Sequence, residues 1–198
     1  ELREFLSSVV KSYRRISTHH TIQIVVVDQN DKDFGILNLV KGFSSALEIE
    51  YLHSNKKGLS LCRNIGLEIA DGDVICFPDD DCEYYEDTLA SVVNYFNSNS
   101  HIDVALGRIY CRKENASLFK RWPLKQIDIG LLNVYFYSSS ITMFIRSSSR
   151  DRFDEKMGAG AYYGSCEDPD FLYRLLLKKK YIVYTPTIDV WHPKPDFR

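Results

Sequence analysis

Val74-Ile-Cys-Phe-Pro-Asp-Asp-Asp81 runs four apolar residues into a proline and three consecutive aspartates. Val74 to Phe77 has the length and apolarity of a strand buried on both faces, and Pro78 ends it. Immediately upstream, Gly58 opens a helical pattern carried by Leu59, Cys62, Ile65 and Ile69, which Ala70-Asp-Gly-Asp73 stops. Downstream, Leu89, Val92, Val93 and Phe96 recur on one face of another helix. Further out lie a β-branched run from Ile22 to Val27 ending in Asp28, a helical pattern (Ile36, Leu37, Val40, Phe43, Leu47) and a short strand around Ile49 to Leu52. Helices alternating with buried strands predict an α/β domain with a mixed, mainly parallel central sheet flanked by helices. In such sheets ligands gather at the carboxyl ends of strands, where both Asp28 and Asp79 to Asp81 lie.

Beyond Ile102 the order is less regular. A strand from Val104 to Tyr110 leads to a basic and aromatic connector (Arg112, Lys113, Lys120, Arg121, Trp122) and a strand from Ile141 to Ile145. The loop Gly158-Ala-Gly-Ala-Tyr-Tyr-Gly164 precedes a helix with Phe171, Leu172, Leu175 and Leu176 on its buried side, then strands at Tyr181 to Tyr184 and Ile188 to Trp191. No repeat, low-complexity segment or linker interrupts the sequence, so residues 1–198 read as one domain. It opens at Glu1 with an amphipathic run already under way (Leu2, Phe5, Leu6, Val9, Tyr13), as a part of a longer chain would.

With 198 residues, 44% of them hydrophobic, and a net charge of −2, the chain can bury a real core, which excludes a disordered tail or a small stapled scaffold. A pI near 6.2 gives no global basic field, so nucleic acid is not an expected partner. No apolar run approaches the roughly 18 residues of a spanning helix. The cysteines Cys62, Cys76, Cys82, Cys111 and Cys166 are odd in number and scattered, without zinc spacing. Reduced thiols in the cytoplasm are the expectation. Lys11 to Arg15 and Lys178 to Lys180 read either as solvated helix ends or as contacts with anionic lipid at the inner face of the plasma membrane.

Between Asp71 and Asp87 carboxylates accumulate with no Lys or Arg among them. Consecutive aspartates repel one another, and two of them on a turn can reach one Mg²⁺ or Mn²⁺ that shares itself with substrate phosphates. The alternative is a solvated acidic turn that caps the next helix through Asp81 or Asp87. Asp28 to Asp33, including Asn30, offers carboxylates and an amide to the N–H groups of a base or the hydroxyls of a ribose. Lys57, Arg63 and Asn64 lie along a loop and the first turns of a helix, whose positive end favours an anion.

These stretches together resemble a family 2 glycosyltransferase of the GT-A, nucleotide-diphospho-sugar transferase fold. The resemblance rests on Ile24-Val-Val-Val-Asp28, on Lys57-Gly-Leu-Ser-Leu-Cys-Arg-Asn-Ile-Gly-Leu-Glu-Ile-Ala-Asp-Gly-Asp73, and on Val74 to Asp81. It resumes at Gly164-Ser-Cys-Glu-Asp168 and Trp191-His-Pro193. It implies that Asp28 and Asn30 bind the nucleobase side of the donor and that Lys57, Arg63 and Asn64 border the nucleotide. Asp79-Asp80-Asp81 matches the Asp-x-Asp motif, with Asp81 holding Mn²⁺ or Mg²⁺ and with Asp79 and Asp80 contacting the ribose or a metal-bound water, Asp79 thus serving both the nucleotide and the metal. Glu167 and Asp168 match the family's acidic pair, of which Asp168 is the general base, and His192 approaches the diphosphate or the metal. Residues 1–100 become the nucleotide-binding half and 101–198 the acceptor side.

The implied reaction is inverting transfer from a nucleotide-diphosphate sugar, a UDP-sugar, to a hydroxyl of a glycan or lipid-linked acceptor in bacterial surface polysaccharide synthesis. Such a transfer needs a carboxylate on one face of the sugar and a neutralised diphosphate on the other, and Asp168 and the aspartate run do come from separate loops. Tyr162 and Tyr163 could close on a sugar or belong to a simple connection; Trp122 with Arg121 could line the acceptor side or anchor a connector. One departure is the family's opening strand, not found ahead of Glu1, which implies exposed sheet edges and an unfinished nucleotide pocket. Two other functions remain open: a non-catalytic nucleotide-sugar-binding module, against which the joint presence of Asp79, Asp81 and Asp168 argues, and an Asp-nucleophile phosphatase. The phosphatase pattern wants Thr or Val where Glu83 stands.

Overall fold

The structure, a computed structural model, describes residues 1–17, 19–32 and 34–194; Asp33 lies outside them. The first helix, α1 (Leu2–Tyr13), is followed by β1 (Gln23–Asp28), α2 (Ile36–Lys41), β2 (Glu48–His53), α3 (Leu59–Ile69), β3 (Val74–Cys76), β4 (Glu83–Tyr84) and α4 (Thr88–Ser98). Then come β5 (Val104–Cys111), β6 (Ala116–Ser117), β7 (Ile127–Ile129), α5 (Val134–Tyr137), β8 (Met143–Arg146), α6 (Glu167–Leu177) and β9 (Ile182–Trp191). The helical periodicities of α1, α3, α4 and α6 bury the residues that their spacing marks, for example Phe5, Leu6 and Val9 of α1. Two buried serines clip α1 to its neighbours: Tyr84 N donates to Ser8 Oγ at 3.0 Å and Leu89 N to Ser12 Oγ at 3.1 Å.

The α/β class and the flanking helices are as expected, and the sheet is mixed. The balance of strand directions is not the mainly parallel one expected. Within the seven-stranded sheet, ordered β3-β8-β5-β9-β4 with β6 on β5 and β7 on β9, the one parallel ladder joins β5 and β9. β8 inserts antiparallel between β3 and β5, so those two run the same way without touching. Which segments become neighbours is a long-range outcome that the apolarity of a single run does not encode. A second parallel pair, β1 with β2, forms a separate two-stranded sheet. Among the described residues the end strands of the two sheets, β1 and β2 in one and β3 and β4 in the other, each keep one edge unpaired.

β9 is one strand where two were expected. It runs on through Pro186 because the ladder with β5 shifts register there: Leu106 faces Tyr184, but Arg108 faces Asp189. The unmatched β9 residues bulge opposite Gly107, where an added Cβ would stand 2.6 Å from Ile188 O. Buried Tyr184, Phe144, Phe171 and Met143 form the middle of the core around this ladder. The five cysteines are free, and no helix among the described residues is long and apolar enough to cross a membrane.

Candidate active site

Buried Phe77 and Tyr84 fix the ends of the aspartate turn in the core, leaving Asp79 and Asp81 half-buried between β3 and β4. β4 pairs with the end of β9, Glu83 opposite Trp191, which brings the turn beside His192. One ligand atom from each of Asp79, Asp81 and His192 lies within 4.8 Å of the others. His192 Nδ1 is 2.7 Å from Pro193 O, and its Nε2 is 3.1 Å from Asp81 Oδ1. A ring whose Nδ1–H donates to that carbonyl turns the Nε2 lone pair toward a carboxylate, which a shared cation satisfies, whereas a ring protonated at both nitrogens pairs with Asp81 directly. Burial pushes the Asp79 carboxyl up, against the pull of Arg63 and with the repulsion of Asp168 and Asp81. These donors suit Mn²⁺ or Mg²⁺, and the imidazole favours the former. Asp80 is exposed and outside the group.

α6 opens at Glu167 directly after Cys166, whose φ of 72° is in the left-handed region. Asp168 is held at both oxygens: Arg63 donates to Oδ1 at 3.0 Å and Ser140 N to Oδ2 at 2.7 Å. Arg63 also donates to Ser140 Oγ at 2.7 Å and lies 3.6 Å from Glu167 and 3.5 Å from Asp79. Its side chain is 8% exposed, so one desolvated guanidinium ties the cation-binding group to the acidic pair. Arg63 reaches this point because α3 packs on β1. These residues line a cavity of ≈ 340 Å³ whose other walls include Ile109, Phe119, Lys120, Ser138, Ser139 and His192.

Asp79, Arg63, Glu167, Asp168 and His192 are thus gathered on one cavity, with Asp81 at its edge; Asp28, Asn30, Lys57 and Asn64 do not line it. Asp28 is buried at the end of β1 and already engaged: Asn30 N and Nδ2 donate to Oδ1 at 2.9 and 2.6 Å, and Tyr51 OH to Oδ2 at 2.8 Å. Burial raises its carboxyl, but these hydrogen bonds outweigh that and leave it below the usual range. Lys57 is exposed and pairs with Asp31. Asn64 lies away from the cavity. It is buried, with Nδ2 donating to Phe153 O and Glu155 Oε1, both at 3.0 Å, and Oδ1 accepting from Phe153 N at 2.8 Å. Its amide holds a loop and is not free for a nucleotide.

Sequence reading missed Phe119, Ser138 to Ser140 and the role of Lys120, because they come from irregular chain between short elements. The ring of Phe119 meets His192 edge-on at 5.1 Å. Of the residues left open, Trp122 is an anchor, stacked on Tyr184 at 5.8 Å with Nε1 donating to Leu118 O. The glycine loop is tied at its base, where Leu59 N donates to Ala159 O and Ser60 Oγ to Met157 O. At Gly158 (φ 96°) a Cβ would meet Ser60 Oγ at 3.0 Å and Glu167 Cδ at 3.2 Å, while Tyr162 and Tyr163 stay exposed.

Comparison with known proteins identifies the fold and the family. The poly(ribitol-phosphate) beta-N-acetylglucosaminyltransferase TarP of Staphylococcus aureus (strain N315) is 23% identical over 185 residues, 91% of this chain and 54% of that protein. This chain therefore spans about half the length of that relative. Staphylococcus aureus TarS 1-349 in complex with UDP-GlcNAc superposes with a TM-score of 0.79 at 19% identity, over 100% of this chain and 56% of that one. The mannosyltransferase PcManGT from Pyrobaculum calidifontis in complex with GDP-Man and Mn²⁺ gives 0.69 at 13% identity, over 100% and 55%. These structures share the GT-A fold. The sequence profile described as Glycosyl transferase family 2 matches residues 1–153, and the chain belongs to that family.

Proposed function

We propose that the chain carries the catalytic site of an inverting glycosyltransferase. It moves a sugar from a nucleotide-diphosphate donor, a UDP-sugar such as UDP-GlcNAc, to a hydroxyl of a glycan or lipid-linked acceptor in bacterial surface polysaccharide synthesis. The observation that carries this reading is the cavity on which Arg63 joins the Asp79–Asp81–His192 group to Asp168. Asp79, Asp81 and His192 would hold Mn²⁺ or Mg²⁺, which when bound supplies positive charge to a departing diphosphate. Asp168 takes the proton of the acceptor hydroxyl as that oxygen bonds to the anomeric carbon. The bond from that carbon to the diphosphate oxygen breaks from the opposite face, and its electron pair leaves with the nucleoside diphosphate. Arg63 and Ser140 N hold the Asp168 carboxylate in one orientation for this task, and Glu167 helps to hold Arg63.

Residues 1–100 would hold the nucleotide, with Asp28, Asn30 and Lys57 at the carboxyl end of β1 and before α3 and with Asp80 near the ribose; 101–198 would present the acceptor. The workplace of such an enzyme is the cytoplasm, at the inner face of the plasma membrane where lipid-linked acceptors are found. The test is calorimetric titration with UDP, GDP and their sugars, UDP-GlcNAc among them, with and without Mn²⁺. Metal-dependent binding is expected to be lost in Asp81→Ala. Asp168→Asn is expected to keep donor binding and lose about 10²–10⁴-fold in transfer. Failure to bind any nucleotide under either condition overturns the reading.

A further inference from the structure

Between residues 119 and 136 the chain makes an excursion whose two ends both reach the cavity, Phe119 and Lys120 at its start and Ser138 to Ser140 just after it. Apolar side chains that a core would take up stand outward along it: Leu132 is 97% exposed and Leu124 82%, and Phe119, Leu131, Tyr135 and Phe136 are exposed with them. The backbone beneath is held. Trp122 stacks on Tyr184 at 5.8 Å, Tyr137 meets the same ring at 5.3 Å, and Tyr184 OH donates to Pro123 O at 2.7 Å, so the two arms of the excursion converge on one buried tyrosine. Asn133 Oδ1 accepts from Gly130 N at 2.8 Å and its Nδ2 donates to Asp128 O at 3.2 Å, which fixes the turn that presents Leu131 and Leu132. A fixed and uncovered apolar patch of this kind marks a surface that meets something other than water.

The charge of the patch selects the partner. Residues 119–136 hold three cations and one carboxylate. That carboxylate, Asp128, accepts from Tyr181 OH, whereas Arg121 and Lys125 are exposed and make no ion pair among the described residues. Protein interfaces enrich aromatic residues at their centre but deplete lysine. Leucine and aromatic tips set among unpaired cations suit an anionic bilayer instead, where the tips enter the headgroup boundary and the cations meet lipid phosphates. In the basic segments that the sequence offered for such a contact, Arg15 is paired with Glu86, Lys178 with Asp151 and Lys180 with Asp103. We infer that residues 119–136 form a membrane-docking surface for an anionic lipid leaflet, which seats the mouth of the cavity against the bilayer. The surface is read from exposure and charge; its purpose, delivery of a lipid-linked acceptor to Asp168, rests on the transferase reading above.

The test is co-sedimentation of the full chain, without nucleotide, with vesicles of phosphatidylcholine alone and of equal parts phosphatidylcholine and phosphatidylglycerol. Binding to the anionic vesicles is expected to be about tenfold tighter or more, and to weaken as salt is raised. Leu132→Ser with Phe136→Ser, and separately Arg121→Gln with Lys125→Gln, are each expected to weaken it about tenfold, while UDP affinity with Mn²⁺ stays within about twofold and the urea midpoint is unmoved. Arg14→Gln with Lys179→Gln, in the other basic segments, is expected to leave vesicle binding within about twofold. Absence of binding, equal binding to both kinds of vesicle, or binding that survives both patch variants overturns the inference. Loss of binding in Arg14→Gln with Lys179→Gln also overturns it, by moving the contact to those segments. Sedimentation velocity without lipid checks another occupant: self-association that Leu132→Ser with Phe136→Ser abolishes would assign the patch to a second copy of the chain. Protein that docks on anionic vesicles through this patch but binds no nucleotide keeps the docking surface and takes down the transferase reading instead.

Discussion

Arg63 and Asn64 stand side by side in the sequence, yet the helix sends them to different tasks. Arg63 reaches the cavity, while Asn64 turns its amide to the backbone of Phe153. Asn64→Ala leaves Phe153 N and O without their buried partners, so it is expected to cost about 1–3 kcal/mol of stability in a denaturant titration. UDP affinity of the folded variant is expected to stay within about twofold; a tenfold loss would return Asn64 to the nucleotide. The aspartate run and Glu167-Asp168 stood out in the sequence as local excesses of charge, each with a second reading as carboxylates at the start of a helix, and only the resemblance gave them site roles. Asn64 was not, because its partners lie 89 and 91 residues away. Lys120 was visible only as one cation in a connector; its place over the Trp122 ring at the cavity is something only a folded chain can show.

At the scale of elements, periodicity located α1, α3, α4 and α6, and the apolar runs located β1, β3 and β5 to within a few residues. β4, β6 and β7 have two or three residues each and leave no periodic trace, yet β4 is the element that brings the aspartate turn to His192. Strand direction escaped the sequence for the reason β8 illustrates, since its neighbours β3 and β5 come from well upstream. The β5–β9 ladder carries the sharpest constraint. With Ile188 O only 2.6 Å from the place of a Cβ, Gly107→Ala must force the two strands apart. The expected loss is about 1–3 kcal/mol, the usual range for overpacking, read as a lower midpoint in urea. Because His192 directly follows β9, Mn²⁺ affinity is expected to weaken along with it.

The whole molecule is unevenly built. β5 and β9 are buried along most of their length, whereas β1 is half-buried in five of its six residues and β2 has three exposed and three half-buried residues. With β1 and β2 forming their own sheet, that two-stranded unit is expected to open separately from the core. Amide hydrogen exchange should therefore run faster in β1 and β2 than in β5 and β9, and UDP with Mn²⁺ should slow it mainly in the former; uniform protection throughout would contradict this. The split sheet has a consequence for the protein's lifetime in a cell. A donor present at a hundred times its dissociation constant contributes about 2.7 kcal/mol, enough to close a weakly held substructure most of the time. Proteases act on the open form, so turnover of this chain should slow when nucleotide sugar is plentiful and quicken when it runs short, linking the abundance of the enzyme to its own supply of substrate.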